Sequence, residues 1–169
     1  MSQEEYKTLK EVFKDYYFNN PNLSESKIKS INLFKQTNSL ELILFTDKAI
    51  KIKDIYGFEN YLEVRFGIRN IQIKIERNKN IEDLENVCEG NQITQVEKNI
   101  VEEWGDIIEY VTNKHPMTKA ILKNSSISID GKSANIFLSM KGKEFLSAKK
   151  FDEVLSNLLL DIYGERYKF

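Results

Sequence analysis

The sequence predicts an α+β protein made of two small lobes, each in the order helix, β-hairpin, helix, strand. In several long segments the apolar residues recur every three or four positions, as in helices that bury one face. In short segments they alternate with polar residues, as in strands with one wet face. This order occurs twice, in residues 1–77 and in residues 93–169. Each lobe is therefore expected to hold a three-stranded sheet that helices cover on one face.

The first lobe is predicted to open with a helix that Ser2 caps and Pro21 ends. The buried face of this helix would be Tyr6, Leu9, Val12, Phe13 and Tyr16. A hairpin should follow, with its turn at residues 36–39 and with Ile31, Leu33, Leu40, Leu42 and Leu44 on its apolar side. The second helix would bury Ile52, Ile55, Phe58, Leu62 and Phe66 and end at Gly67. The last strand of the lobe contains Ile71, Ile73 and Ile75.

Residues 78–92 lose this periodicity and are rich in Asn, Gly and acidic residues, which predicts a linker. The second lobe should begin with a long helix capped by Thr94, with Val96, Ile100, Trp104, Ile107, Ile108 and Val111 on its apolar stripe. Asp130-Gly131 lies between two alternating segments and predicts a type I′ hairpin turn. One further helix, from Lys141 to a left-handed stop at Gly164, should lead into a final strand with Tyr167 and Phe169.

Composition excludes several classes of protein. The 169 residues are 41% hydrophobic and 30% charged, which is typical of a globular protein and too apolar for disorder. No apolar segment approaches the ~20 residues that cross a bilayer, so we expect no membrane association and a cytoplasmic location. One cysteine, Cys88, and one histidine cannot supply a structural zinc site, and no cofactor or metal is expected.

Charge is unevenly distributed along the chain. Residues 81–109 contain nine acidic residues against one lysine, a net charge of −8. Residues 114–150 contain eight lysines against two acidic residues, a net charge of +6. The basic segment can orient the protein against an acidic partner or nucleic acid, although both segments can equally be solvated faces. The candidate contact residues are Lys119, Lys123, Lys141, Lys143, Lys149 and Lys150.

Residue types that carry chemistry are present without the companions that catalysis needs. His115 has no Ser or Cys placed to act as its nucleophile, and a capping or packing role is expected for it. The acidic residues Glu102, Glu103, Asp106 and Glu109 fall on the wet side of their helix and are expected to be solvated. The sequence contains no Walker A motif, no G-x-G-x-x-G and no G-x-x-G. We therefore expect neither an active site nor a small-molecule substrate.

The order and spacing of several segments resemble the N-terminal region of PolC-type DNA polymerases, the alpha subunit of DNA polymerase III in Gram-positive bacteria. In the second half these segments are residues 101–104, His115-Pro116, residues 126–131, residues 149–155 and Tyr163-Gly164. In the first half they are residues 54–62 and Phe66, after the hairpin. These are packing patterns, and the resemblance spans essentially the whole chain.

The resemblance implies the front end of a longer DNA-directed DNA polymerase with 3′–5′ exonuclease activity. None of the acidic metal-binding motifs of those later domains is present here, so no catalytic residue is carried over and the fragment is expected not to be an enzyme. The N-terminal region of that family looks like a KH-like module or a module like the clamp-loader tau subunit. Its implied work is docking to replisome proteins, the clamp-loader subunit first among them. The alternative is binding of single-stranded DNA, which the missing G-x-x-G weakens.

Overall fold

The computed structural model describes residues 5–77 and 95–169. The chain divides into two compact units, Met1–Asn78 and Lys79–Phe169. Eight α-helices, a three-stranded sheet and a two-stranded sheet make up the described residues, which confirms the predicted α+β class. The predicted linker, together with Cys88 and the predicted helix caps Ser2 and Thr94, lies outside the described residues.

The first unit is built on a mixed three-stranded sheet in the order β1-β2-β3. Strands β1 and β2 form an antiparallel hairpin, and β3 pairs in parallel with β2. A helix, α3, connects these two parallel strands, as a parallel connection requires. In chain order the elements are α1 (Leu9–Val12), α2 (Pro21–Ser24), β1 (Lys27–Phe34), β2 (Ser39–Phe45), α3 (Ile52–Phe66) and β3 (Asn70–Glu76).

The core of the first unit lies between α3 and one face of the sheet. The strand residues that alternate toward this face are buried, namely Leu42, Leu44, Ile71, Ile73 and Ile75. The helix contributes Ile52, Ile55, Phe58 and Leu62, which are also buried. Helix α3 ends at Gly67, whose φ of 65° is the left-handed conformation predicted for its stop. The two periodicities thus predicted most of this core, but Phe66 at the end of α3 and Leu33 at the sheet edge are 55% and 54% exposed rather than buried.

The long first helix predicted for this unit is wrong. Within residues 5–20 only α1 is helical, and Tyr6 and Val12 are exposed rather than buried. The cap is Thr8, whose backbone N–H and hydroxyl donate to the Glu11 carboxylate at 2.7 and 2.9 Å. These hydrogen bonds lower the pKa of the Glu11 carboxyl. The helix does not extend toward the N-terminus because Leu9 N–H donates to the carbonyl of Ser26, so the chain before it lies beside the sheet.

An aromatic cluster around Phe58 holds the segment that follows α1. The ring centroids of Phe13 and Tyr16 lie 5.2 Å from that of Phe58, and the ring of Phe18 lies 5.7 Å away. The first two pairs are edge-to-face, an arrangement that adds to the free energy of burial. Of the three successive aromatics 16–18, Tyr17 is 82% exposed and points away from this cluster.

The second unit begins with helices and ends on a hairpin with two further helices. In chain order its elements are α4 (Gln95–Glu102), α5 (Trp104–Lys114), a 3-10 turn (Pro116–Thr118), α6 (Lys119–Leu122), β4 (Ser126–Asp130), β5 (Ser133–Phe137), α7 (Lys143–Ala148) and α8 (Phe151–Tyr163). Helix α8 ends at Gly164 with a φ of 75°, as predicted.

Three predictions for this unit need correction. The first long helix breaks at Glu103 into α4 and α5. The second breaks at Lys149 and Lys150, and Lys150 has a left-handed φ of 50°. The hairpin turn is formed by Gly131 and Lys132, since Asp130 pairs with Ser133, and only Gly131 has a positive φ. This is the pattern of a type II′ turn rather than the predicted type I′.

The predicted final strand is reduced to one parallel β-bridge between Ser133 and Lys168, so the sheet described in this unit has two strands rather than the predicted three. The carbonyl of Lys168 accepts from Ala134 N–H and its N–H donates to the carbonyl of Lys132, both at 2.8 Å. Tyr167 is 2% exposed, and its carbonyl accepts a hydrogen bond from the Ser156 hydroxyl of α8 at 2.8 Å. The segment is therefore part of the fold of this unit.

None of the helices in the described parts of the chain is both long and apolar enough to span a membrane.

Truncating Tyr167 should destabilise the second unit. The Tyr167→Ala variant is expected to lose about 3 kcal/mol or more of unfolding free energy, because a large buried aromatic leaves a cavity. Trp104 is the sole tryptophan of the chain and lies in this unit, so its fluorescence in urea follows this transition. Met117→Ala is the control, since Met117 is 73% exposed and should change stability little. Equal losses for both variants would contradict the packing described for Tyr167.

The same side chain should make the second unit sensitive to alkaline pH. Burial raises the pKa of the Tyr167 hydroxyl from its ordinary value near 10 to about 12, and the carboxylates of Glu97 and Glu165 add to this effect. A raised pKa stabilises the fold fully below pH 10, and this contribution is lost as pH rises from 10 through 12. Tyr167→Phe should therefore show a smaller drop in urea midpoint than the wild type between these pH values. An unchanged drop would refute this assignment.

Candidate functional site

The six predicted contact lysines are all exposed, but they lie on three separate segments. Lys119 begins the short helix α6 and Lys123 directly follows it. Lys141 lies in the loop before α7, and Lys143 is the first residue of that helix. The remaining pair, Lys149 and Lys150, lies between α7 and α8.

Two contacts bring the first two segments together. The loop that carries Lys141 and Lys143 approaches α6 at Gly142, where an added Cβ would lie 2.5 Å from a side-chain carbon of Ile121. Gly142 has an extended φ of 165°, so the need for glycine here is a need for space. The Ser139 hydroxyl also donates to the carbonyl of Lys123 at 2.9 Å. Four of the six lysines are thereby placed on two adjoining segments.

The third pair of lysines stands apart from the other four along the chain. Helix α7 has six residues and separates Lys143 from Lys149 by about 9 Å of helix axis. The Lys149 ammonium lies 6.0 Å from the centroid of the Phe145 ring, at the outer limit for a cation–π contact. Lys150 occupies the left-handed position between the helices. Within the described residues, we find no contact between this pair and the other four lysines.

An open groove with a volume of about 640 Å³ runs beside β5 and α7. Lys141 and Lys143 line it, and most of its other lining side chains are apolar, among them Ile136, Phe137, Leu138, Met140 and Leu146. Phe137 is 59% exposed and Met140 is 51% exposed. Asp152 also lines it, so the groove combines an apolar surface with two lysines and one carboxylate. This net positive, mainly apolar surface suits a partner with apolar and acidic side chains better than a bare phosphate chain.

Lys119 and Lys123 line a different cavity, of about 420 Å³, between α5 and α6. Trp104 also borders it, but the indole is only 5% exposed and its Nε1 donates to the Ser125 hydroxyl at 3.2 Å. This confirms the prediction that Trp104 is a core residue rather than a stacking platform. The cavity mixes one glutamate, Glu109, with the two lysines, so its charges partly cancel.

The side chains considered for catalysis have packing roles where the structure describes them. His115 ends α5, and its ring lies edge-on to Phe151 with centroids 6.0 Å apart. Glu103 is partly buried rather than solvated as predicted, because it accepts a hydrogen bond from the Tyr163 hydroxyl at 2.7 Å. Within residues 5–77 and 95–169, no group of three or more His, Cys, Asp or Glu side chains could hold a metal ion.

The sequence interpretation missed Phe137 and Met140 as parts of the candidate surface. Phe137 alternates with the two apolar positions Ile136 and Leu138, which were assigned to the hairpin, and so falls on the other face of the strand. A large apolar residue at the wet position of a strand was the available signal. Met140 lies in the loop that Gly142 holds against α6, a placement that no local pattern encodes.

Replacing Gly142 should test the contact that joins the two lysine segments. Gly142→Ala is expected to cost about 1–3 kcal/mol, the usual penalty for adding a methyl group to a packed site. In an Ile121→Ala background the same change should cost clearly less, because the opposing carbons are gone.

The control for this test is Gly105→Ala in helix α5, where an added Cβ meets nothing within 4 Å. That change should be stabilising by about 0.5–1 kcal/mol, as alanine is the better helix former. Unfolding in urea followed by Trp104 fluorescence measures all four variants. Equal costs for Gly142→Ala with and without Ile121 would refute the contact.

Comparison with known proteins gives one family, and it covers the first unit. The chain has no significant match among the curated proteins or among the solved structures. The family model described as DNA polymerase III polC-type N-terminus I matches residues 8–76, from the cap of α1 to the end of β3. This match confirms the predicted resemblance: residues 8–76 are similar to the N-terminus I region of polC-type DNA polymerase III.

Proposed function

We propose that this chain is a non-catalytic accessory module of a PolC-type replicative polymerase and that it docks to replisome proteins, with a clamp-loader subunit as the foremost partner. The observation that carries the proposal is the family match over residues 8–76, which supports an N-terminal module of DNA polymerase III. The work of such a module in DNA replication is to hold the polymerase near its partners in the cytoplasm.

The groove of the second unit supports docking to a protein. Stable protein contacts need an apolar centre that excludes water, and Phe137 and Met140 expose apolar area beside Lys141 and Lys143. A partner with acidic residues around an apolar side chain fits this combination. The lysines would steer its approach, and the apolar contact would supply most of the affinity.

Docking is tested by titrating the full chain with the clamp-loader tau subunit of a bacterium that replicates with a PolC-type polymerase, using biolayer interferometry. We expect saturable binding that the double variant Lys141→Glu/Lys143→Glu weakens about tenfold or more, since reversal of two interface charges repels an acidic partner. The matched control is Lys51→Glu/Lys53→Glu, two exposed lysines with the same spacing in the first unit.

Either of two results would count against this assignment. Absence of binding by the wild-type chain would exclude the tau subunit as partner. Equal affinities for the wild type and Lys141→Glu/Lys143→Glu would place the contact away from the groove. In parallel, the purified chain should extend no primed template, and template-dependent extension would contradict the non-catalytic assignment.

Single-stranded DNA is the second candidate ligand. The contact between α6 and the loop before α7 favours it, because this contact brings four lysines together. Four exposed lysines on two touching segments can follow a phosphate backbone. Arginine is scarce in the chain, so such binding would not be base-specific.

The test of this candidate is fluorescence anisotropy of a labelled oligothymidine, titrated with the full chain at about 50 and about 200 mM salt. A single-strand binder should lose roughly fiftyfold in affinity over this range if four lysines contact phosphates. We would then compare the double variants Lys149→Glu/Lys150→Glu and Lys141→Glu/Lys143→Glu. The variant that binds more weakly identifies the pair of lysines that contacts the DNA. Weak binding at both salt concentrations would leave the docking role alone.

A further inference from the structure

Strand β1 has a largely open outer edge. It lies at the border of the first sheet, where β2 pairs with one side of it. On the other side the Ile28 N–H donates to the carbonyl of Lys7 at 2.8 Å, and Thr8 bridges to Lys27. Among the described residues, this pairing covers only the start of the strand. Within residues 5–77, no strand pairs with the outer side of residues 29–34, whose backbone donors and acceptors a further strand can use.

The open part of β1 also carries exposed apolar side chains. Ile31 is 45% exposed, Leu33 is 54% exposed and Phe34 is 51% exposed. Ile31 pairs with Leu42 in register, so its side chain shares the sheet face that helix α3 covers. Leu42 is fully buried whereas Ile31 is not, which places the border of the helix layer between these strands. The apolar face of the sheet thus continues past the helix to the open edge.

The charges on and near β1 indicate what kind of segment can pair with this edge. Residues 26–40 contain three lysines, Lys27, Lys29 and Lys35, and no acidic residue. Lys29 forms an ion pair with Glu76 of β3, whereas no ion pair is found for Lys27 and Lys35 among the described residues. A second copy of β1 would bring like charges together at both ends, which is unfavourable. An extended segment with acidic ends meets a lysine at each end instead.

We propose that residues 29–34 of β1 accept an extended segment of a partner protein as an added strand, with apolar side chains at alternate positions and acidic residues at its ends. The main chain of the segment would hydrogen-bond to the open edge, and its apolar side chains would cover Ile31 and Leu33. Its acidic ends would meet Lys27 and Lys35. This surface belongs to the first unit and goes beyond the proposed docking groove, which lies in the second.

The probe for this proposal is a fluorescein-labelled peptide with the sequence Val-Thr-Val-Thr-Val between two pairs of glutamates. Titrated with the full chain, it should bind saturably by anisotropy. Leu33→Glu should weaken binding about tenfold, because it removes apolar contact and adds repulsion. The matched control Val64→Glu makes the same kind of change at an apolar residue of α3 that is 87% exposed, and should leave binding unchanged.

A charge exchange keeps the test valid if Leu33→Glu disturbs the fold, which circular dichroism will show. Lys35→Glu is a change at an exposed residue beyond the end of β1. It should weaken the peptide with glutamate ends and strengthen one with lysine ends, each by about fivefold or less, as is usual for single exposed charge pairs. A peptide in which proline replaces both threonines and the central valine should not bind, since three consecutive prolines remove N–H donors on both sides of the strand.

Three results would overturn the proposal. The first is no binding of the glutamate-ended peptide up to millimolar concentration. The second is equal binding of the proline peptide. The third is a dimer in sedimentation that Leu33→Glu dissociates, which would make a second copy the occupant. None of these results bears on the lysine groove, because every variant in the test lies in the first unit.

Discussion

In both units, a final segment pairs in parallel with the second strand of a hairpin. Such a parallel pairing requires the chain to cross one face of the sheet, and this crossing organises each unit. In the first unit α3 makes the crossing between β2 and β3. In the second unit α7 and α8 make it between β5 and the segment at Lys168. The crossing helix supplies the apolar surface that buries the sheet. The opposite face can then remain polar, as the alternating residues of β3 do.

The crossing helix also determines how the rest of the first unit packs. Helix α3 carries Phe58 toward the rings of Phe13 and Tyr16, and Gly57 leaves 3.2 Å between a would-be Cβ and the Tyr16 hydroxyl. A short helix and an irregular segment therefore pack where a long helix was expected. Aromatic side chains can hold such a segment because each buries a large area at low cost in rotamer entropy. Regular backbone pairing is not needed there.

Apolar periodicity encodes which face of a helix or strand is buried, but it does not encode where a helix breaks. Alternation placed Ile71, Ile73 and Ile75 in a buried strand, and Gly67 and Gly164 end their helices with positive φ. Apolar spacing reports which face is buried, but a helix that breaks and resumes keeps the same spacing. Apolar spacing therefore could not predict the helix breaks at Glu103 and Lys150. Residue type gave no signal at Lys150 either, because this residue adopts a left-handed conformation without being glycine.

The candidate site illustrates the same distinction at longer range. Composition identified six exposed lysines, but neighbours in sequence need not share a surface. The contact that joins α6 to the loop before α7 pairs Gly142 with Ile121, and no local pattern links residues so far apart. Family resemblance supplied what periodicity could not, and the family model matches residues 8–76.

The pairing of Lys168 with β5 has a consequence for how the protein is made. The hairpin and both crossing helices leave the ribosome before this segment, yet Tyr167 is among the most deeply buried side chains of the second unit. Until Tyr167 has been synthesised, its place between the hairpin and α8 is empty. The Ser156 hydroxyl then lacks the Tyr167 carbonyl that accepts its hydrogen bond. The first unit, by contrast, has its β3 strand within residues 70–76 and can close while the second is still being synthesised. Folding in the cell is therefore expected to proceed in two stages, with the second completed only after the codon for residue 168 has been read.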